Sequence, residues 1–382
     1  MIKRFFSIFA VICALLPASP LRATETVAAS AILVEVATGE TLLAKNADSL
    51  MAPASMSKLM TLYMLFERLK DGSLSLDDTF WVSENAWRKG GAKSGSSTMF
   101  LNPKKRVRIE DLIRGIIVQS GNDACIVVAE GLSGSEAAFA AEMTERSREL
   151  GLTESVFKNA TGWPHPEHRM TPRDLGVLAR RLVDDFPEYY RYFSETEFTY
   201  NGIRQMNRNP LLYKEMNADG LKTGHTQESG YGLTASATRG GRRLILVVNG
   251  LKSKKERSRE PERLLEWGFR EFNNYALFKA GATVEDAAVW LGTEPRVPLV
   301  VTQDVLVTMP RKARRKLKAT VVYDGPIPAP IKTGDVVGKV LIKAPGQPDI
   351  SVPVTAGADV RRLGVIGRLW AALSTILFGE AG

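Results

Sequence analysis

Three short elements stand in a fixed order along this chain, and any fold must bring them into one cleft. Ser55-Met56-Ser57-Lys58 comes first, then Ser120-Gly121-Asn122, then Lys222-Thr223-Gly224. Ser55 follows Pro53 and opens a run with Leu59, Leu62, Phe66 and Leu69 on one face, which predicts a helix starting at the serine. Three residues of helix place the Ser55 hydroxyl and the Lys58 amine on one side. A serine needs a base beside it to act as a nucleophile. An ammonium at its free pKa of about 10.4 cannot be that base, whereas an amine lowered by burial or a neighbouring cation can. Lys222 is a candidate for that second cation. The Ser120 element adds a hydroxyl and an amide, and the Lys222 element adds a cation and a hydroxyl suited to a carboxylate. The pattern reads as serine acyl transfer.

Context separates these elements from look-alikes. Ser155-Val156-Phe157-Lys158, Ser83-Glu84-Asn85 and Lys332-Thr333-Gly334 spell the same short patterns. Ser155 lies in a connection before Asn159-Ala160-Thr161-Gly162, and Lys332 leads into a Gly-Asp turn with no nucleophile after it. A lone tripeptide of this kind carries little weight; three in order, in matching contexts, carry much more.

The chain resembles the low-molecular-mass penicillin-binding D-alanyl-D-alanine carboxypeptidases of the type-5 group. The resemblance rests on Pro53-Ala54-Ser55-Met56-Ser57-Lys58, Gln119-Ser120-Gly121-Asn122-Asp123-Ala124, Asn207-Arg208-Asn209 and Asp219-Gly220-Leu221-Lys222-Thr223-Gly224-His225-Thr226. It implies a peptidase that removes the terminal D-alanine of peptidoglycan pentapeptides through an acyl-enzyme on Ser55, and that penicillin acylates. It further implies Lys58 as base and Ser120 as proton relay to the leaving amine. Asn122 would hold the substrate amide. Lys222, Thr223 and Gly224, helped by Arg208, would bind the terminal carboxylate. Backbone N–H groups of Ser55 and His225 would form the oxyanion hole.

Composition fits an exported globular enzyme. The 382 residues suffice for two domains, with ordinary hydrophobic (44%) and charged (24%) fractions. Lys3 and Arg4, the apolar stretch Phe5 to Leu16, and Ala18 to Ala23 read as a secretory signal, residues 1–23. Its removal takes three cations from the net charge of +9. Only Cys125 then remains, in an apolar helical run, and reads as a small core residue. His165-Pro166-Glu167-His168 is no helical zinc pair because of Pro166, so neither metal nor cofactor is expected.

Residues 24–278 read as an α/β (α+β) catalytic domain of the serine β-lactamase and penicillin-binding kind, an antiparallel sheet flanked by helices. Strands are expected at Ala31–Glu35, Leu42–Ala44, Tyr231–Thr238 and Arg243–Asn249, helices at Asp111–Val118 and Asp123–Leu132, and a mobile Gly- and Ser-rich loop over Ser83–Ser97. Residues 279–360, with short Val-rich strands between Gly and Pro turns, read as an all-β domain. The basic run Arg311–Lys318 reads as a solvated loop, and the signal opposes a nucleic-acid role. Residues 361–382 carry Leu363, Ile366, Leu369, Trp370, Leu373, Ile376 and Leu377 at helical spacing beside arginines. A helix over Leu363–Phe378 would reach only about 24 Å, so an amphipathic anchor lying in the membrane surface is expected, at the periplasmic face of the inner membrane.

Alternatives remain at this level. A class A β-lactamase shares the three elements, but Gly121 stands where such enzymes carry Asp, and no E-x-x-L-N segment supplies a deacylating glutamate. A DD-endopeptidase shares all the chemistry. A non-catalytic wall-binding protein is opposed by the intact serines and lysines.

Overall fold

The structure is a computed structural model describing residues 24–370. The expected signal segment, residues 1–23, and residues 371–382 of the expected anchor lie outside the described residues. A five-stranded antiparallel sheet runs in the order Thr41–Lys45, Ser30–Glu35, Arg242–Leu251, Gly230–Arg239, Ala218–Thr226. The strand Arg242–Leu251 shows why the sheet is a partition. Leu244, Leu246 and Val248 join one core, while Ile245 and Val247 join the other. That is the period of two expected when both faces are covered. One face packs on the helix Lys254–Glu271 through Leu264, Leu265 and Phe269. The other carries the helical region that contains residues 58–193.

Within that region the helix Lys58–Lys70 is buried almost all round, with Leu59, Met60, Leu62, Leu65 and Phe66 inaccessible to solvent. A helix apolar on every side must be central. Each such side chain contributes roughly 1.5–3 kcal/mol by burial, so the Ser55–Lys58 end sits on rigid scaffold.

The expected loop at Ser83–Ser97 is instead a helix, Glu84–Gly90, followed by a 3-10 turn, Ala92–Ser94. Ser83 caps it, its Oγ accepting from Ala86 N–H at 2.9 Å. Gly90 is there for closeness rather than flexibility: a Cβ would come 2.2 Å from Asp123 N. Two further elements carry no expectation from sequence. The hairpin Glu197–Tyr200 with Ile203–Met206 turns through Asn201-Gly202, both at positive φ. The strand Ala218–Thr226 holds the Lys222 element itself.

The C-terminal unit is all β. Six strands are ordered Lys318–Tyr323, Val336–Lys343, Ile350–Ala356, Arg296–Val300, Thr283–Trp290 and Ile327–Pro328 around a separate apolar core. The strand Phe272–Phe278 precedes the composition break at Lys279 but pairs with Val305–Pro310 of this unit. The basic run is an exposed 3-10 turn at Arg314–Lys316, while Arg311 ties the unit back, its Nε donating to Arg270 O at 2.9 Å. Helical residues begin at Val365 and continue to Trp370, where Val365, Ile366, Leu369 and Trp370 stand at least 65% exposed.

Candidate active site

Ser55 does not open the α-helix itself. It lies in a 3-10 turn, Ala54–Ser57, and Lys58 is the first α-helical residue. In a 3-10 turn side chains three apart eclipse, which aligns the pair more closely than an α-turn would. Lys58 Nζ donates to Ser55 Oγ at 2.9 Å and to Asn122 Oδ1 at 2.7 Å, with a third bond to the Thr161 carbonyl. Lys222 Nζ donates to Ser120 Oγ at 2.9 Å. The two motif serines therefore each have a buried lysine, and both lysines are essentially inaccessible to solvent.

Burial lowers Lys58 to about 8, and the Arg208 guanidinium adds repulsion. Burial lowers Lys222 well below the ordinary lysine range, with Lys58 and Arg208 as repelling neighbours. Desolvation is thus the main device for Lys58, and Arg208 is the cation that assists it. Cys125 sits in the same core with its thiol pushed up to about 12 by burial, so it stays neutral near pH 8 and gives neither lysine a counter-ion.

Backbone geometry holds the cleft. Ala54 and Ser120 both have positive φ (48° and 65°), a conformation costing about 1–3 kcal/mol for non-glycine residues and concentrated at functional sites. The Lys222 strand is the edge of the sheet and passes directly beside the Ser55 turn. A Cβ at Gly224 would come 2.8 Å from Pro53 O and 3.1 Å from Met56 Cγ, so only glycine fits the third place of that element. His225 is next along the same edge, its ring tilted by 33° against that of Tyr231 with centroids 3.9 Å apart.

Arg208 reaches over from the 207–209 segment and donates to Ser97 Oγ at 2.6 Å. The carbonyl of Ser97 accepts from Asn122 N–H at 2.7 Å. Asp123 braces that segment from beneath, accepting from Thr98 Oγ1 at 2.6 Å and from the N–H groups of Met99 and Leu101. Arg208 lies near enough to Lys222 for the two cations to repel, and Thr223 follows Lys222 on the same strand.

Sequence reasoning did not find the Thr161 carbonyl. Its loop is organised by Asn159, whose Oδ1 accepts from the N–H groups of Thr161, Gly162 and Trp163 and from Thr161 Oγ1, all within 3.1 Å. Thr61 Oγ1 clamps the same loop through Ala160 O at 2.7 Å. The N-x-x-G spelling of Asn159 to Gly162 was the available signal, an Asn cap followed by glycine at positive φ.

The look-alikes are occupied elsewhere. Ser155 Oγ donates to Asp174 Oδ2 at 2.6 Å, Ser83 is a helix cap, and Thr333 pairs with Asp359 on an exposed turn. His168 is buried, lowered to about 4 by burial, and packs edge-on to Phe157, whereas His165 is exposed. Among the described residues no cluster of His, Cys, Asp and Glu could hold a metal ion.

The chain matches the D-alanyl-D-alanine carboxypeptidase family, peptidase S11, over residues 18–253, and the C-terminal domain of penicillin-binding protein 5 over residues 272–362. It is 41% identical to the D-alanyl-D-alanine carboxypeptidase DacC of Escherichia coli, covering 89% of this chain and 86% of that protein. Among solved structures it is similar to penicillin binding protein 5 from Haemophilus influenzae, with a TM-score of 0.78 and 36% identity over 89% of this chain and 99% of that one. The D-alanyl-D-alanine carboxypeptidase DacD from Francisella tularensis superposes with a TM-score of 0.80 at 29% identity, over 89% of this chain and 95% of that one.

Proposed function

The chain belongs to the D-alanyl-D-alanine carboxypeptidase family, and we propose that its acyl transfer runs on Ser55, Lys58, Ser120 and Lys222 as follows. Neutral Lys58 takes the Ser55 proton as Oγ attacks the carbonyl between the two terminal D-alanines. Backbone N–H groups of Ser55 and His225 stabilise the oxyanion; one such donor is commonly worth about 10² to 10³ in rate. Ser120, bonded to Lys222, passes a proton to the leaving amine. Asn122 keeps its Oδ1 on Lys58 and offers its amide nitrogen to the substrate. Lys222, Thr223 and Arg208 hold the terminal carboxylate, with Gly224 giving the strand its close approach to Ser55. Water then releases the acyl group, and penicillin follows the same first step.

One observation carries this reading: the Lys58 amine bridges Ser55 Oγ and Asn122 Oδ1 while burial brings it to about 8. A β-lactamase reading lacks a comparable support. The two acids whose charge acts on Lys58 are engaged elsewhere, Glu136 with Ala160 N–H and Asp123 with the Thr98–Leu101 segment.

The carboxylate proposal has a direct test. Peptides ending in D-Ala-D-Ala are compared as free acids and as C-terminal amides, measuring released product. The free acid is expected to be cleaved about 10- to 100-fold faster, the worth of a lost charge-assisted contact of roughly 1.5–3 kcal/mol. Equal rates for both would refute carboxylate recognition.

We also infer export and attachment to the outer face of the inner membrane. The exposed Ile366, Leu369 and Trp370 beside Arg361, Arg362 and Arg368 support it, since apolar residues bury in the interface while arginines meet anionic head groups. Among the described residues no single helix is long and apolar enough to cross a membrane. A chain ending at Asp359 is expected to lose membrane sedimentation and keep peptidase activity. Continued sedimentation of the shortened chain would place the anchor elsewhere.

A further inference from the structure

Positive charge is concentrated in the C-terminal unit. Residues 272–362 hold 13 Lys and Arg against 8 Asp and Glu, a net +5 of the +9 carried by the whole chain. Much of it stands at one end of that unit, where Arg311, Lys312, Arg314, Arg315, Lys316 and Lys318 are all exposed. The turn that carries them is firmly held. Ala313 is buried, its N–H donating to Pro310 O at 2.9 Å, and Lys316 N–H donates to Ala313 O at 3.0 Å. Arg311 N–H donates to Glu271 O at 2.8 Å, and Leu317 packs on the apolar core of the unit. The strand Lys318–Tyr323 then extends the charge along a sheet face. Its pleat sets Lys318, Thr320 and Val322 opposite Lys343, Leu341 and Lys339, while the alternate residues Val340 and Ile342 belong to the core.

A run of exposed cations is ordinarily a solvated surface balanced by neighbouring acids. Arg173, Arg204 and Arg239 are balanced in that way, by Asp48, Glu197 and Glu266. Among the described residues, none of the six cations from Arg311 to Lys318 has a carboxylate within 4.0 Å. Lys343 has one, Asp349 at 3.0 Å. Arg314 lies over the Tyr275 ring at 5.4 Å, a contact that leaves its charge uncancelled. Lys318 stands directly opposite Lys343, and like charges so placed destabilise a sheet. The turn is already held by backbone bonds and apolar contacts, so the fold does not need this charge. An anion outside the chain is what it fits.

Position separates this surface from the tail. The strand Ile350–Ala356 begins opposite Ile342, next to Lys343, and runs about 20 Å toward the other end of the unit. Beyond it Val360 pairs with Ile331 and Arg362 with Gly292, where the tail leaves. That distance is more than two screening lengths of about 8 Å at physiological ionic strength, so the arginines beside the tail and the cations of the turn act on different surroundings. We propose that Arg314, Arg315, Lys316 and Lys318, continued by Lys339 and Lys343, form a docking surface for the anionic wall polymer. The inference rests on the substrate class of the proposed function. Each uncleaved stem peptide ends in a carboxylate, and a polymer repeats such groups so that a fixed row of cations meets several at once. The surface holds the enzyme on its polymeric substrate and takes no part in the acyl transfer at Ser55.

The test compares the full chain in nonionic detergent with a variant carrying Arg314→Gln, Arg315→Gln, Lys316→Gln and Lys318→Gln. Penicillin labelling of Ser55 reports an intact fold in both. The parent is expected to sediment with purified peptidoglycan sacculi, less so as salt is raised and less so when the carboxylates of the sacculi are amidated. The variant should bind sacculi about tenfold or more weakly, the combined worth of four exposed charge contacts. It should also release D-alanine more slowly from sacculi, yet match the parent on a soluble D-Ala-D-Ala pentapeptide. Equal binding of parent and variant to sacculi would overturn the surface, as would parent binding that amidation leaves unchanged. Flotation of both chains with phosphatidylcholine vesicles, with and without phosphatidylglycerol, covers the lipid alternative. A variant weakened only toward the anionic vesicles would assign these cations to the membrane and refute the wall. Failure of both chains on the soluble peptide would instead refute the carboxypeptidase mechanism, while binding to sacculi still decides the surface.

Discussion

Ser55→Ala is expected to abolish covalent penicillin labelling and to reduce D-alanine release by at least about 10⁴-fold, because no second hydroxyl can take over. The nearest motif hydroxyl, Ser120, is bonded to Lys222 rather than Lys58, and Ser155 is buried on Asp174. Stability should change little, since Ser55 is only partly buried and its one side-chain bond is to Lys58. Labelling followed by peptide mapping gives the answer. An adduct that survives the substitution would move the nucleophile elsewhere.

Lys58 should show the second large effect, with a pH signature. In the proposed mechanism its neutral form is the active one, and burial lowers it to about 8. Acylation should therefore rise with pH and level off above an inflection near 8, where the unperturbed amine would place it near 10.4. Below the inflection the ammonium cannot accept the Ser55 proton. Lys58→Ala should lose about 10²- to 10⁴-fold, the usual worth of a positioned base. Lys58→Arg should be no better, since a guanidinium keeps its proton throughout. The measurement is the acylation rate against pH for parent and variants. An acid limb that persists unchanged in Lys58→Ala would assign the base to another group.

Much of the site was legible because its chemistry lies in side chains with unusual neighbours. Ser55, Lys58, Ser120, Asn122 and Lys222 were found in order, and the structure brings them together. What escaped is what side-chain spelling does not encode. The Thr161 acceptor is a backbone carbonyl, visible only once Asn159 folds its loop beneath Lys58. The strand Ala218–Thr226 gives no strand signal in the sequence because Asp219, Gly220, Lys222 and Gly224 break its apolar alternation, one of its edges facing the cleft rather than a neighbouring strand. Gly90 suggested a loop, yet the glycine allows two helices to touch. The cation assisting Lys58 is Arg208, from a segment far in sequence, and no local pattern could have chosen it over Lys222.

The hairpin through Asn201-Gly202 is a different case, since that dipeptide is a strong turn signal and its flanking residues alternate only weakly.

The account's central claim is an acyl-enzyme on Ser55 formed from the natural type of substrate. Its most direct test is rapid quenching of the enzyme with a D-Ala-D-Ala peptide, followed by intact-mass measurement and mapping of the adduct. The account predicts a transient mass gain equal to the mass of the peptide less one molecule of D-alanine, carried by the fragment that contains Ser55. D-alanine released with no covalent species at any quench time, or an adduct on another residue, would contradict it.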